Sequence, residues 1–237
     1  MVKKLRLWAH LGAQAIAAIL ALPCTIQQVA PGKYLAREGD RAKHCCLLLD
    51  GYAFRHKIVG DGSRAICSMH MRGDIVDLQN SLLGEADHSV QTLTHSLVAS
   101  IPREAIVEIA VAHPKVGMAM WYDTLVDASI FREWIANVGR RDAATRVAHL
   151  LCEFGLRREV ADIGDRHNYE LPMSQEQLAD ATGLTAVHVN RTLKALEADD
   201  LIRRTVRSIA VVDWARLQQA GDFSSAYLHL RGSDLLQ

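Results

Sequence analysis

Towards the C-terminal end of the chain, apolar and polar positions recur with helical spacing and predict two short helices joined by a tight turn. Ser174 can cap the first helix, because a serine oxygen accepts a hydrogen bond from the free N–H groups of a first turn. Gly183 ends that helix and Thr185 can cap the next. One face of the second helix is apolar and consists of Val189, Leu193 and Leu196. The opposite face consists of Ala186, Val187, Asn190, Arg191 and Lys194.

A short two-stranded wing is predicted after these helices. Residues 201–205 and 208–212 alternate as strands around Val206-Arg207, while residues 165–170 form a polar loop before the helices. A helix whose outer face carries Asn, Arg and Lys can enter the major groove of DNA. Arginines of the wing would then lie near phosphates, and these are Arg203, Arg204 and Arg207. The alternative interpretation is an ordinary helical hairpin with a solvated charged face.

Short strands with turn signals between them are predicted over residues 29–101. The turns are marked by Pro31-Gly32, Gly60-Asp61-Gly62 and Arg72-Gly73-Asp74. Strands this short and regularly spaced indicate a small antiparallel barrel or jelly roll. The strands are predicted at residues 33–36, 46–49, 52–59, 64–71, 90–93 and 97–101.

Helical periodicity follows, with a short helix over residues 103–112 and a long one from Pro114 to about residue 138. An apolar stripe along the long helix consists of Met120, Leu125, Ile130 and Trp134. A partner helix from a second subunit would cover this stripe, although it can also pack on its own barrel. Gly139 interrupts the pattern before it resumes over residues 140–156. We therefore predict a sensor domain at residues 1–113, a dimerisation helix at 114–138 and a DNA-binding domain at 139–237.

Composition narrows the class of protein. The chain has 237 residues, 49% of them hydrophobic, and a formal net charge of zero, which argues against a surface coated with basic charge but permits a local basic face. Its five cysteines form no framework spacing and no C-x-x-C pair, which favours a reducing cytoplasm over disulfides.

The N-terminal apolar stretch, residues 11–22, follows basic residues and superficially resembles a signal peptide. His10 and Gln14 interrupt it and no A-x-A cleavage site follows, so a packed helix is favoured over a secretion signal. The stretch is too short and too broken to span a membrane. The helix would place its apolar residues on one face, namely Leu11, Ala15, Ile16, Ile19 and Leu20.

Taken in order, a β-roll, a long helix and a winged helix-turn-helix resemble the Crp/Fnr family of bacterial transcription regulators. The resemblance extends from about residue 29 to residue 230. It implies a homodimer that binds a two-fold symmetric operator and recruits or blocks RNA polymerase. The matching motifs of the roll are Pro31-Gly32-Lys33, Arg37-Glu38-Gly39-Asp40, Gly51 and Gly73-Asp74. Those of the C-terminal part are Ser174-Gln175-Glu176-Gln177-Leu178-Ala179, Gly183-Leu184-Thr185, Val189-Asn190-Arg191-Thr192-Leu193 and Leu196-Glu197 to Leu201-Ile202.

The chain departs from the cyclic-nucleotide-binding members of this family. In them a Gly-Glu pair holds the ribose and an Arg-Ser pair holds the phosphate, whereas the matching positions here are Asp77-Leu78 and His88-Ser89. Leu78 cannot accept a hydrogen bond from the ribose, and a histidine cannot offer the fork of an arginine. Asp77 would add a negative charge near the ligand. We therefore expect no cyclic AMP in this effector pocket.

Iron–sulfur and haem sites are not predicted either. The iron–sulfur members carry an N-terminal cysteine cluster, and here only Cys24 is available. Cys45 and Cys46 are adjacent, so they would point to opposite faces of a strand, as would Cys67 and His70. Packing in the core is the expected role of the cysteines, with redox sensing by a lone thiol as the alternative. No metal or cofactor is predicted.

In the second helix of the C-terminal pair, Val187 stands where many relatives have a glutamate that accepts from cytosine. Valine can instead contact a thymine methyl group. Arg191 matches the arginine with which the family reads guanine, and Asn190 can contact adenine or a phosphate. Ala186 completes the expected base-contacting set. Phosphate contacts are expected from Ser174, Thr185, His188, Lys194, Arg203 and Arg207.

The sequence thus predicts an α+β protein: an antiparallel β-roll, a long dimerisation helix and a winged helix-turn-helix. Its predicted function is a cytoplasmic, homodimeric transcription regulator of double-stranded DNA with no membrane association. The alternative is an effector sensor whose winged domain binds other proteins. No nucleophile motif supports an enzyme.

Overall fold

The structure, a computed structural model, describes residues 1–230. The chain divides into two compact units. Unit 1 comprises Met1–Ile58 and Cys67–Ser129, and unit 2 comprises Val59–Ile66 together with the chain from Ile130 onwards. Within the described part of the chain, no helix is both long enough and apolar enough to cross a lipid bilayer.

Unit 1 is built on the predicted β-roll, whose two antiparallel sheets enclose apolar side chains. One sheet has the order β1-β7-β3 and the other the order β2-β6-β4-β5. In the first sheet Cys45 lies opposite Ile101, and in the second Arg55 lies opposite Val90. The strands are β1 Thr25–Val29, β2 Tyr34–Ala36, β3 His44–Asp50, β4 Ala53–Ile58, β5 Arg64–His70, β6 Ser89–Thr92 and β7 Ser96–Pro102.

Short helices close the roll. The predicted N-terminal helix is present and buries Ala15 and Ile19. Leu11 is buried but lies before the helix begins, and Leu20 is 75% exposed and does not belong to the packed face. Strand β1, helix α1 and helix α3 were not expected from the sequence, since each is short and packs on residues distant along the chain. The helices are α1 Val2–Leu5, α2 Ala13–Leu20, α3 Asn80–Leu83 and α4 Arg103–Ala112.

Two long helices follow, α5 over Pro114–Arg140 and α6 over Ala143–Val160. Gly139 does not interrupt α5, contrary to the sequence prediction, because the helix continues through it to its last turn. The break falls at Asp142, whose side chain accepts a hydrogen bond from Thr145 N at 2.9 Å and thereby caps α6. A capping carboxylate is thus the local signal that separates the two helices.

The rest of unit 2 surrounds α6, against which α7, α8 and α9 pack. A three-stranded antiparallel sheet of order β8-β10-β9 forms the wing. Strand β8 lies in the segment predicted as a polar loop, which was wrong because β8 is defined by pairing with β10. These elements are α7 Gln175–Thr182, α8 Ala186–Ala198, α9 Trp214–Ala220, β8 Asn168–Glu170, β9 Ile202–Arg204 and β10 Ser208–Val211, with a 3-10 turn at Ser225–Leu228.

Candidate nucleic-acid interface and effector cassette

The turn between α7 and α8 is fixed by local hydrogen bonds. Ser174 Oγ accepts from Gln177 N at 3.2 Å, and Gln177 Oε1 accepts from Ser174 N at 2.8 Å, a reciprocal capping box. Gly183 adopts the left-handed conformation with φ 64°, which costs glycine little. Thr185 Oγ1 then accepts from His188 N at 3.2 Å and caps α8. The predicted caps are therefore confirmed, and they fix where α8 begins.

The apolar face of α8 is the predicted one. Val189, Leu193 and Leu196 are 0%, 3% and 2% exposed, and α8 packs against α6 and α7. Burial of three branched side chains on one face holds the opposite face outward. The helix is therefore oriented by its core residues, while its outer residues are available to a partner.

The outward face of α8 carries Val187, which is 82% exposed, and two exposed cations, Arg191 and Lys194. Within residues 1–230, neither of these cations makes a hydrogen bond or an ion pair, so both are available to a partner. Asn190 is half-buried and donates from Nδ2 to Gln175 Oε1 at 3.2 Å. Gln175, which the sequence analysis did not single out, thus orients one predicted base-contacting residue.

The three arginines of the wing differ in exposure and in their contacts. Arg203 and Arg207 are exposed, as is Val206 at the tip. Arg204 instead donates from Nε to Glu197 Oε2 at 2.6 Å and faces α8. Its proposed place beside a phosphate is therefore not supported, because the Glu197 carboxylate already neutralises it.

The effector cassette is the name used here for Asp77, Leu78, His88 and Ser89 in unit 1. Asp77 is 2% exposed, and its Oδ1 accepts from Cys46 N at 2.7 Å. Burial raises the pKa of Asp77 to about 7, although the Cys46 N–H and the Arg55 guanidinium act in the opposite direction. Leu78 lies in the apolar core of the roll.

The other two cassette residues, His88 and Ser89, contact neighbouring polar groups. His88 is buried, and its Nε2 lies 3.2 Å from Gln79 Nε2, while Nδ1 contacts the Asp87 carboxylate. Burial lowers the pKa of His88, and the Arg55 charge lowers it further. Ser89 Oγ accepts from Glu38 N at 3.1 Å.

Arg55 is the residue that the sequence analysis missed in this region. It lies on β4, with its side chain 3% exposed, and forms an ion pair from Nη1 to Asp127 Oδ2 at 2.7 Å. Its Nη2 donates to the Val76 carbonyl oxygen at 2.8 Å, directly before the cassette. Arg55 and Asp127 are 72 positions apart, so helical or strand periodicity gives no signal for their contact.

Comparison with known proteins decides the family. Residues 145–220 match the Crp-like helix-turn-helix domain family, and residues 26–113 match the cyclic nucleotide-binding domain family. The activator FnrL of Cereibacter sphaeroides is 28% identical over 202 residues, covering 83% of this chain and 81% of FnrL. The chain is a Crp/Fnr family transcription regulator. It binds DNA, as the helix-turn-helix family implies, and it is not an enzyme.

Other Crp/Fnr proteins extend the likeness. The activatory protein AadR of Rhodopseudomonas palustris is 26% identical over 184 residues, which cover 77% of this chain and 75% of AadR. The solved structure of FixK2 from Bradyrhizobium japonicum superposes with a TM-score of 0.77 at 22% identity, covering 86% of this chain and all of that one. The fold predicted for the chain is thereby confirmed.

The apolar stripe proposed for dimerisation of this Crp/Fnr chain does not form one surface. Met120, Ile130 and Trp134 are 5%, 6% and 6% exposed within the single chain. Only Leu125 of the four predicted residues faces outward, at 52% exposure. The outward row of α5 consists of Met118, Trp121, Leu125 and Ile135, all more than half exposed. Its first three members follow the spacing of three and four that is typical of helix pairing.

The cysteines of the Crp/Fnr chain are mostly core residues. Cys45, Cys46 and Cys152 are buried, and Cys45 and Cys46 lie in different apolar clusters of the roll. Burial raises the pKa of all three thiols, that of Cys45 to about 12. Cys24 is exposed. Among residues 1–230, no three His, Cys, Asp or Glu side chains converge in a way that suits a metal ion.

Proposed function

We propose that this regulator acts as a homodimer that reads a palindromic operator, with one α8 helix in the major groove of each half-site. The observation that carries the proposal is the outward face of α8, where Val187, Arg191 and Lys194 stand exposed on a helix fixed by its caps and core. Output through RNA polymerase and a cytoplasmic location belong to the same proposal, the latter supported by buried, unpaired thiols.

Each outward residue has a proposed role that follows from its chemistry. Arg191 reads guanine through its bidentate fork, and Val187 contacts a thymine methyl group. Asn190, held by Gln175, reads adenine or contacts a phosphate, with Ala186 beside the bases. The proposed phosphate contacts are Ser174, Thr185, His188, Lys194, Arg203 and Arg207.

The test is a binding series over an operator and its single-base variants at several salt concentrations. Arg191→Ala is expected to weaken specific binding by about 1–3 kcal/mol and to flatten the preference at one position. Lys194→Ala is expected to weaken all duplexes alike and to reduce the salt slope by about one unit. Arg72→Ala is the control, since Arg72 is an exposed arginine of unit 1 that pairs with Asp50. An Arg191→Ala protein that keeps the wild-type preference at every base pair contradicts the proposed reading.

The proposed dimer forms through the outward row of α5. A row of large apolar side chains left in water favours a partner surface. Leu125→Glu is expected to convert a sedimenting dimer of about twice the 26.2 kDa chain mass into a monomer. Leu82→Glu is the matched control, because Leu82 is 77% exposed on α3, away from this row. A wild-type monomer at micromolar concentration, with and without DNA, defeats the proposal.

We also propose that the effector cassette does not hold cyclic AMP. The Leu78 side chain packs in the apolar core, and His88 is buried between Gln79 and Asp87. Two absent charge-assisted contacts weaken such a ligand by roughly 3–6 kcal/mol. Calorimetry with cyclic AMP is expected to give no heat of binding at micromolar protein, and a micromolar dissociation constant refutes the proposal.

A further inference from the structure

A chain of buried and partly buried hydrogen bonds in unit 2 joins the C-terminal part of α5, α6 and the segment after α9. His149 Nδ1 lies 3.0 Å from the Gly221 carbonyl oxygen, and His149 Nε2 lies 3.2 Å from Tyr227 Oη. Tyr227 Oη lies 2.8 Å from Glu153 Oε2. Trp134 of α5 donates from Nε1 to the same Glu153 oxygen at 2.9 Å. His149 and Glu153 are 1% and 2% exposed, whereas Tyr227 is half-buried, so the His149 and Glu153 ends of the chain are shielded from water.

The protons of this chain are fewer than its hydrogen bonds. The Gly221 carbonyl and the Glu153 carboxylate can only accept. A neutral imidazole supplies one N–H and a tyrosine one O–H, which makes two protons for three contacts. The three contacts are Gly221 with His149, His149 with Tyr227, and Tyr227 with Glu153. All three form together only when one further proton is bound.

We propose that Gly221, His149, Tyr227 and Glu153 form a proton-dependent latch that positions the DNA-reading helices on the C-terminal end of α5. The extra proton resides on His149, because the ordinary pKa of imidazole is well above that of a carboxyl group. With it, His149 donates to Gly221 and Tyr227, and Tyr227 donates to Glu153. Without it, one of the three contacts has no hydrogen and weakens.

The latch acts on DNA reading through α6. Trp134 ties Glu153 to α5, and α6 packs against α7 and α8. A looser latch therefore allows α6, with the reading helices on it, to shift against the end of α5. This consequence for DNA rests on the proposed function, whereas the proton count does not.

Charged groups from every neighbouring segment surround His149, and these are Glu133, Arg141, Glu153, Arg157 and Asp222. Glu133 Oε1 lies 3.8 Å from His149 Nε2 and is itself bound by Arg141 at 2.7 Å. Burial lowers the pKa of His149; Glu153 opposes this effect, Arg141 adds to it, and the Gly221 carbonyl and Glu133 oppose it. Because the pKa of His149 is lowered, the latch is incomplete at neutral pH and completes only as the pH falls below the ordinary pKa of imidazole.

The first experiment follows the ring resonances of His149 by NMR between pH 4.5 and pH 8, without DNA. Tyr227→Phe removes the acceptor of the Nε2 proton and is expected to lower the pKa of His149 by about one unit. Tyr169→Phe is the matched control, because Tyr169 is a buried tyrosine whose hydroxyl also binds a group of α6, donating to the Leu151 carbonyl at 2.9 Å. It is expected to leave that pKa unchanged. A shift no larger in Tyr227→Phe than in Tyr169→Phe, or no titration of His149 in the wild type, overturns the latch.

The second experiment measures position rather than protonation. Amide hydrogen exchange at the end of α5 and in α6, corrected for intrinsic rates, is expected to slow from pH 7.5 to pH 5.5 in the wild type and in Tyr169→Phe, but not in Tyr227→Phe. Equal pH responses in all three proteins overturn the positioning role. Operator binding over the same pH range is expected to follow the exchange pattern. A chain that shows the coupled titration and exchange but binds no operator refutes the proposed function alone.

Discussion

Two regions of the molecule, the outward face of α8 and the interior of the β-roll, use charged side chains in opposite ways. On α8 of unit 2, Arg191 and Lys194 are exposed on one face, and the other face is apolar. Inside the β-roll, Arg55, Asp77 and His88 are buried, and Arg55 is paired with Asp127. Exposed cations suit a large anionic ligand such as DNA, whereas a buried charge needs a paired group of opposite sign, because removal of that group leaves an uncompensated charge. The difference teaches that the position of a charge relative to the core decides whether it serves recognition or stability.

The first prediction, with the largest expected effect, compares a buried and an exposed residue of α8. Leu193→Ala is expected to lower the free energy of unfolding by about 3 kcal/mol, because it leaves a cavity in the core beneath the reading face. Val187→Ala, on the exposed face, is expected to change it by less than about 0.5 kcal/mol while altering operator preference. Urea denaturation and operator binding of both variants provide the measurement. Similar losses of stability from both changes contradict the division of α8 into two faces.

The inward charges of the roll provide the second prediction. Asp127→Asn leaves the buried Arg55 guanidinium without its carboxylate and is expected to lower the free energy of unfolding by about 2–3 kcal/mol. Asp50→Asn is the control, since Asp50 pairs with Arg72 at the surface and is expected to cost less than about 0.5 kcal/mol. Urea midpoints of the two variants measure the difference. Equal midpoints imply that the Arg55 pair stabilises no more than a surface pair.

The third prediction concerns pH. Since burial raises the pKa of Asp77 to about 7 in the folded chain, the folded state retains a proton that the unfolded state releases near its ordinary, lower pKa. The stability contributed by Asp77 is therefore lost as pH rises from about 4 through 7. Asp77→Asn keeps an acceptor for Cys46 N and is expected to be more stable than wild type at pH 8 by roughly 2 kcal/mol, with little difference at pH 4. Parallel pH profiles for wild type and Asp77→Asn disprove the shift.

Capping residues and short-range apolar spacing made helices α7 and α8 of unit 2 predictable from the sequence. The caps Ser174 and Thr185, the break at Gly183 and the apolar spacing of α8 all lie within a few turns of the elements that they define. The bounds of α4 also follow the sequence prediction for residues 103–112. Where the signal depended on pairing, as for β1 and β8, the prediction failed because a three-residue or five-residue strand is stabilised only by its distant partner.

The apolar stripe of α5 shows the limit of periodicity. Helical spacing identifies residues that share a face, but it does not say whether that face meets the same chain or another one. Trp134 is buried within its own chain, where Glu153 on the following helix accepts its indole hydrogen. Leu125 is 52% exposed, so no element among residues 1–230 covers it to a comparable degree. The outward row of α5 therefore became apparent only from the folded chain.

The sequence by itself determined the order of elements and the position of the helix-turn-helix, because these depend on residue identity and short-range spacing. Only the tertiary structure decided that Arg55 pairs with Asp127 and that Arg204 pairs with Glu197. The same holds for the hydrogen-bonded chain of His149, Tyr227 and Glu153. Such contacts join side chains on different elements. Their energies depend on burial and distance, which only the packing of those elements defines.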